Sequence, residues 1–187
     1  RAPSGSNIQP WQVYVVRGEH KARITEACSK RYLSGDEGNP EYFYYPQAWR
    51  EPYIGRRRET GFGLYGLLGI DRKDAPAVQA YRVLNYQFFG APVALFFTID
   101  RDMEQGSWVD YGMFLQSLML AAREQGLETC AQAAFCPYYD SVMPILGAPS
   151  EQMLVCGMSV GYADPDAVIN DYRTSRLPVD AFRTRLD

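Results

Sequence analysis

Residues 107–135 read SWVDYGMFLQSLMLAAREQGLETCAQAAF, and the reading of this stretch decides the fold class. Trp108, Tyr111, Leu115, Leu118 and Ala122 recur at helical spacing, and Phe114 and Ala121 widen the apolar stripe. Ser107, with Asp110 three residues on, is the predicted N-cap, and Gly126 the predicted stop. So apolar a helix is predicted to be central, packed on a sheet and on a second surface such as another subunit. Ala131, Ala133 and Ala134 follow it; such small side chains either leave backbone N–H groups accessible as donors or allow tight packing against a neighbouring helix.

Outward from this helix, VALFFTI (93–99) and MLVCGMSVGY (153–162) are predicted as buried strands, because their apolar runs are continuous. QVYVVRG (12–18) is β-branched and aromatic, so it reads as a further strand, and HKARITEACSKRYL (20–33) as an amphipathic helix ending before Ser34-Gly35. DAPAVQAYRVLNYQFF (74–89) reads as a helix closed by Gly90 and Pro92, and YDSVMPILG (139–147) as a short helix containing Pro144. Residues 34–66 are rich in Tyr, Pro, Gly and Arg with little periodicity, and are predicted to form a lid-like excursion. The last 25 residues are polar and must lie on another surface to be ordered.

At 187 residues and 47% hydrophobic, the chain makes one domain, residues 1–187. A net charge of −3 gives no electrostatic footprint for nucleic acid. No apolar run approaches the ~20 residues of a membrane helix. Cys28, Cys130, Cys136 and Cys156 have no zinc-like spacing and read as free thiols of a reducing cytoplasm; no metal site is expected. His20, the one histidine, reads as an exposed boundary residue, which disfavours a Ser-His-Asp hydrolase.

Candidate motifs are weak one at a time. GFGLYG (61–66) matches G-x-G-x-x-G, but GRRRET precedes it and no acidic residue follows between Asp74 and Asp100, so a dinucleotide fingerprint is rejected. GRRRE (55–59) reads as a carboxylate or phosphate fork or as a solvated charge run. Arg173 and Arg176, three apart in NDYRTSRLP, have the spacing to converge on one phosphate, or to remain an exposed pair. RAPSGSNIQPW (1–11) is a stiff, bent segment with small polar side chains, either a surface turn or a cradle for a flat polar ligand.

Taken together and in order, PSGSNIQPW, NYQFFGAPVALF, GMFLQSLMLAAREQGLETCAQAAF, LVCGMSVGYADPDAVIN and YRTSRLP resemble the FMN-dependent nitroreductase family over most of the chain except residues 34–66. The resemblance implies an α+β fold, a central, mostly antiparallel sheet flanked by helices, in an intertwined homodimer with flavin at the interface. It implies that Pro3, Ser4, Gly5, Ser6, Asn7 and Gln9 belong to a loop lining the flavin from the partner subunit. It assigns Gln132, Ala133 and Ala134 to the segment whose backbone lies against the flavin's N5 and O4, Asn85 to the ring edge, and Arg176, with Arg173 or Thr174, to the phosphate.

The implied activity is a ping-pong reduction of nitroaromatic or other electron-poor small aromatic compounds, with NADPH or NADH as donor to FMN and no catalytic side chain. Residues 42–58 are expected to set substrate choice, and Arg56, Arg57 or Arg58 to favour acidic substrates such as nitrobenzoates. The family's arginine-x-serine motif precedes its first helix, so a further N-terminal piece is expected ahead of Arg1. A flavin-binding scavenger or sensor without turnover is the alternative, favoured if the Tyr-rich excursion seals the site.

Overall fold

The computed structural model describes residues 1–186. Four strands, β1 (Gln12–Val16), β2 (Val93–Asp100), β3 (Glu128–Gln132) and β4 (Gln152–Gly161), form one sheet in the order β1-β2-β4-β3. All three pairings are antiparallel, in keeping with the expected α+β class. Five helices accompany them: α1 (Gly18–Leu33), α2 (Tyr53–Leu67), α3 (Ala75–Arg82), α4 (Gln105–Glu124) and α5 (Tyr139–Leu146).

The continuous apolar run of β2 follows from its having both faces covered. Ala94 and Phe96 point to one core layer, with Ile24 and Cys28 of α1 and Val142 and Met143 of α5. Leu95, Phe97 and Ile99 point to the other, with Tyr111, Trp108 and Phe114 of α4. Strand alternation thus sorts one sequence run into two cores. Where β2 meets β4 the register slips between Phe97 and Thr98, which pair with Cys156 and Leu154 and leave Val155 as a bulge residue.

The central helix differs from expectation at its start. Its N-cap is Glu104, not Ser107, because the turn closed by the Met103 N–H on the Asp100 carbonyl at 3.1 Å brings the chain into helix early. Ser107 therefore lies in the first turn, its hydroxyl 3.5 Å from the Met103 sulfur. The stop holds: Gly126 has φ +75, and the Leu127 N–H reaches back to the Ala122 carbonyl at 3.0 Å in a Schellman-type closure.

The predicted 74–89 helix needs correction, and the excursion over residues 34–66 contains one regular element, the helix Tyr53–Leu67. Gly55, Gly61, Gly63 and Gly66 erase its apolar periodicity, and GFGLYG lies inside it. At Gly63 the absence of a side chain is used by the tail, because a Cβ there would overlap the Tyr172 ring. The predicted 74–89 helix ends at Arg82 and continues as two short 3-10 turns, Val83–Asn85 and Phe88–Gly90. The break comes at Phe88 and Phe89, at φ +55 and +50, where the left-handed backbone lets Phe88 stack on Phe135 with ring centroids 4.8 Å apart.

α4 has more apolar surface than this chain covers: Val109 and Leu120 are 65% and 62% exposed, and Val15 on β1 is 68% exposed. The tail runs along α2, where the Tyr172 hydroxyl donates to the Thr60 carbonyl at 3.1 Å and Ser175 Oγ to Glu59 Oε1 at 3.0 Å. Among the described residues, no helix is long and apolar enough to cross a membrane.

Candidate active site

The end of β3 and the turn that follows it form one wall of a cavity of about 840 Å3. Gln132, Ala133 and Ala134 line it together with Asn85, so the structure brings together four of the sequence-predicted site residues. β3 is an edge strand paired only with β4, so alternate N–H groups along it have no strand partner. The helical turn Ala133–Tyr138 begins where β3 ends, and the first N–H groups of such a turn precede its own hydrogen bonds. Small side chains at Ala131, Ala133 and Ala134 keep these donors uncovered.

Gln132 is buried, and its side chain is committed inside the protein rather than to the cavity. Its Oε1 accepts from Ser159 Oγ at 2.6 Å and its Nε2 donates to the Asn85 carbonyl at 2.7 Å. The Asn85 side chain makes one bond, from Nδ2 to the Arg82 carbonyl at 3.2 Å. Gly157, opposite Gln132 in the sheet register, leaves the room that Phe135 needs: a Cβ there would stand 2.8 Å from the Phe135 ring.

The facing wall is Pro40, Tyr42, Phe43, Tyr44, Tyr45 and Pro46. Three contacts fix its root. The Asn39 N–H donates to the Pro137 carbonyl at 2.8 Å, Glu41 pairs with Arg101 at 2.5 Å, and the Tyr42 hydroxyl donates to the Val155 carbonyl at 2.5 Å. The last bond exists because the bulge at Val155 takes that carbonyl out of the regular ladder. Beyond Tyr42 the segment is free: Phe43, Tyr44 and Tyr45 are exposed and border the cavity without sealing it. Tyr45 packs on Trp49, and the Arg57 guanidinium lies 4.6 Å from the Trp49 ring and 5.7 Å from that of Tyr45. Sequence reasoning placed Tyr42 only within the 42–58 stretch expected to set substrate choice and left Ser159 unassigned; the bulge and the buried amide that give them their partners have no local signal.

Among the described residues, no Asp, Glu, His, Lys or Arg side chain lines the cavity. Burial raises the Tyr42 hydroxyl and the Cys136 thiol above their ordinary ranges, so both hold their protons near neutral pH.

Pro3, Ser4, Gly5, Ser6, Asn7 and Gln9 lie elsewhere in the chain and do not line this cavity. Their loop sits on α4, where the Gly5 N–H donates to Asp110 Oδ2 at 2.9 Å. Ser6, Asn7 and Gln9 all have positive φ, so the loop turns tightly with little help from glycine. Arg173 and Arg176 are on the tail, also away from the cavity; Arg173 turns back on the Asn170 carbonyl and Arg176 on Thr174 Oγ1 at 2.7 Å. Among the described residues neither forms a salt bridge, so both guanidiniums retain donors for an anion.

The sequence profile described as the Nitroreductase family matches residues 1–162. A 4-nitrobenzoate reductase of Nocardioides sp. (strain LMS-CY) is 40% identical over 100% of this chain and 76% of its own length. A nitrobenzene nitroreductase of Ectopseudomonas oleovorans is 41% identical over 98% of this chain and 81% of its own. The crystal structure of the FMN and NADPH-dependent nitroreductase NfnB from sphigopyxis sp. strain HMH superposes with a TM-score of 0.96 at 39% identity, over 100% of this chain and 84% of that one. The fold, the order of its elements and these likenesses place the chain in the nitroreductase family.

Proposed function

We propose that this chain is an FMN-dependent reductase that draws electrons from NAD(P)H and delivers them to nitroaromatic compounds. The observation that carries the reading is the cavity itself: the small-residue end of an edge strand and the first turn after it, Ala131–Ala134, line it opposite a wall of aromatic rings, with no acidic, basic or histidine side chain among the described lining residues. The donor set fits a flavin, a flat ring with acceptor atoms along one edge and at N5. Relatives named for nitrobenzene and 4-nitrobenzoate, and a neighbour named as FMN and NADPH-dependent, support the same chemistry.

FMN held here would supply the redox chemistry, a hydride relay between a nicotinamide and an electron-poor substrate. The chain's own part is electrostatic and steric. Amides at Ala133 and Ala134 would offer fixed donors to negative charge on such a ring, without reorganising. The Asn85 side chain, held by one bond to the Arg82 carbonyl, would be the group available to a ring edge. Phe43, Tyr44 and Tyr45 offer aromatic rings against which an aromatic substrate would pack.

The Pro3–Gln9 loop and the Arg173–Arg176 pair lie off this cavity, and we assign them to the flavin of a partner subunit in a cytoplasmic homodimer. The apolar surface left open on α4 and β1, and a tail whose Leu177, Val179 and Phe182 are exposed, support that assembly. An open cavity mouth disfavours the scavenger or sensor alternative.

The test is a flavin spectrum of protein incubated with FMN and desalted, then given NADPH without air. The expected result is a retained spectrum that bleaches and returns when 4-nitrobenzoate is added. Retention without bleaching would move the reading to a binding protein, and no retention would remove the flavin.

A further inference from the structure

The Gln132 side chain joins three separate pieces of the chain: the end of β3, Ser159 on β4, and the Asn85 turn. Its amide orientation is set by chemistry, because the Asn85 carbonyl can only accept and must therefore face Nε2. The turn it grips is pinned on its core side by the buried Val83, Tyr86 and Phe88, while on the cavity side Gln132 holds the Asn85 carbonyl. Val83–Asn85 is a single 3-10 turn, and within a few residues Phe88 and Phe89 take left-handed backbone, which a residue bearing a side chain adopts only under strain. A conformation of that kind persists only when its surroundings over-determine it.

Both ends of this bridge stand on the cavity. Asn85 is on one side, and the amides after Gln132 are on the other. We infer that Gln132 is a positioning residue that sets the distance between the Asn85 amide and the Ala133–Ala134 backbone, and so tunes how the cavity binds its cofactor and how readily that cofactor is reduced. The inference rests on the flavin reading above. A side chain spent wholly on its neighbours also accounts for glutamine here, since the bridge needs one acceptor and one donor on the same planar group.

The experiment compares the full-length protein with Gln132→Met, which keeps the length and loses both bonds, and Ser159→Ala, which loses only the Oε1 partner. Hydrogen exchange is read on the flavin-free proteins, and FMN affinity and midpoint potential on the loaded ones. In Gln132→Met, the amides of Tyr86 and Gln87, bonded to the Val83 and Leu84 carbonyls at 2.9 and 3.1 Å, should exchange at least tenfold faster, while β2 is unchanged. FMN should bind at least tenfold more weakly and its potential should become more negative. Ser159→Ala should show the same changes at a few-fold.

Faster exchange with wild-type FMN affinity and potential would overturn the inference, leaving Gln132 a packing residue. Unchanged exchange would overturn it at an earlier step. If Gln132→Met does not fold, wild-type affinity and potential in Ser159→Ala overturn it. If the wild-type protein retains no FMN, the flavin reading fails and the tuning with it, while the exchange data still report on the bridge; the two failures are therefore distinguishable.

Discussion

The backbone N–H of Gly5 donates to the carboxylate of Asp110 at 2.9 Å, tying a loop at the start of the chain to a buried acid 105 residues later. The sequence suggested Asp110 as a partner in helix capping. With the helix beginning at Gln105, the carboxylate is past the first turn, so it serves a tertiary contact instead. Three left-handed residues follow Gly5 within four positions, and an external anchor is what such a loop requires.

Asp110→Ala should therefore cost about 1–3 kcal/mol, as expected for a hydrogen bond to a charged acceptor whose donor is left unpaired. Urea denaturation measures it. FMN affinity should fall with it if the Pro3–Gln9 loop contacts the flavin; a stability loss with unchanged affinity would separate the loop from the cofactor.

Tyr42→Phe keeps the ring that packs 4.9 Å from Trp108 and removes the hydroxyl that holds the bulge carbonyl of Val155. The loss of about 1 kcal/mol should be local. Limited proteolysis should become faster within residues 43–49, and KM for a nitroaromatic substrate should rise more than kcat falls. Wild-type proteolysis would show that Glu41 and Asn39 suffice as the root.

Burial pushes the Cys28 and Cys156 thiols up to about 12 from an ordinary 9.0. As pH rises the unfolded chain releases these protons first, so their contribution is whole below pH 9 and is lost between pH 9 and 12. A thermal-melt series should show Tm flat near neutral pH and falling across that window. In the native state at pH ~8, where even an ordinary thiol is only partly ionised, alkylation should reach Cys130 on the exposed edge strand, slowed because desolvation pushes its thiol up, and spare the three buried cysteines.

Replacing Arg56, Arg57 and Arg58 by alanine should raise KM for 4-nitrobenzoate several-fold and leave that for nitrobenzene nearly unchanged. The three lie on α2 rather than on the cavity wall, and Arg57 reaches the site through Trp49 and Tyr45. Equal effects on both substrates would mean that Arg57 only braces the aromatic segment.

Strands β2 and β4 and helices α1 and α4 were legible because each carries its burial pattern in consecutive residues. Runs such as VALFFTI can be satisfied only with both faces covered, and Gly126 ends α4 where the stripe ends. Helix α2 was not legible, since four glycines and a polar face remove its periodicity, and the break at Phe88 depends on a stacking partner 47 residues further on, Phe135. The small residues at 131–134 were visible as a place of close approach. Their status as an edge strand running into a helical turn was not.

The sequence by itself determined that β2 and β4 are covered on both faces and that Gly126 ends α4, because each follows from a local pattern of residues, while the α+β class followed from the resemblance of the ordered motifs to a known family. Only the tertiary structure decided that Gln132 spends its side chain on Ser159 and Asn85, that Asp110 holds Gly5, and that a bulge at Val155 anchors Tyr42. Each of these is a hydrogen bond between residues far apart in the chain, and a buried polar group takes whichever partner the fold brings within reach.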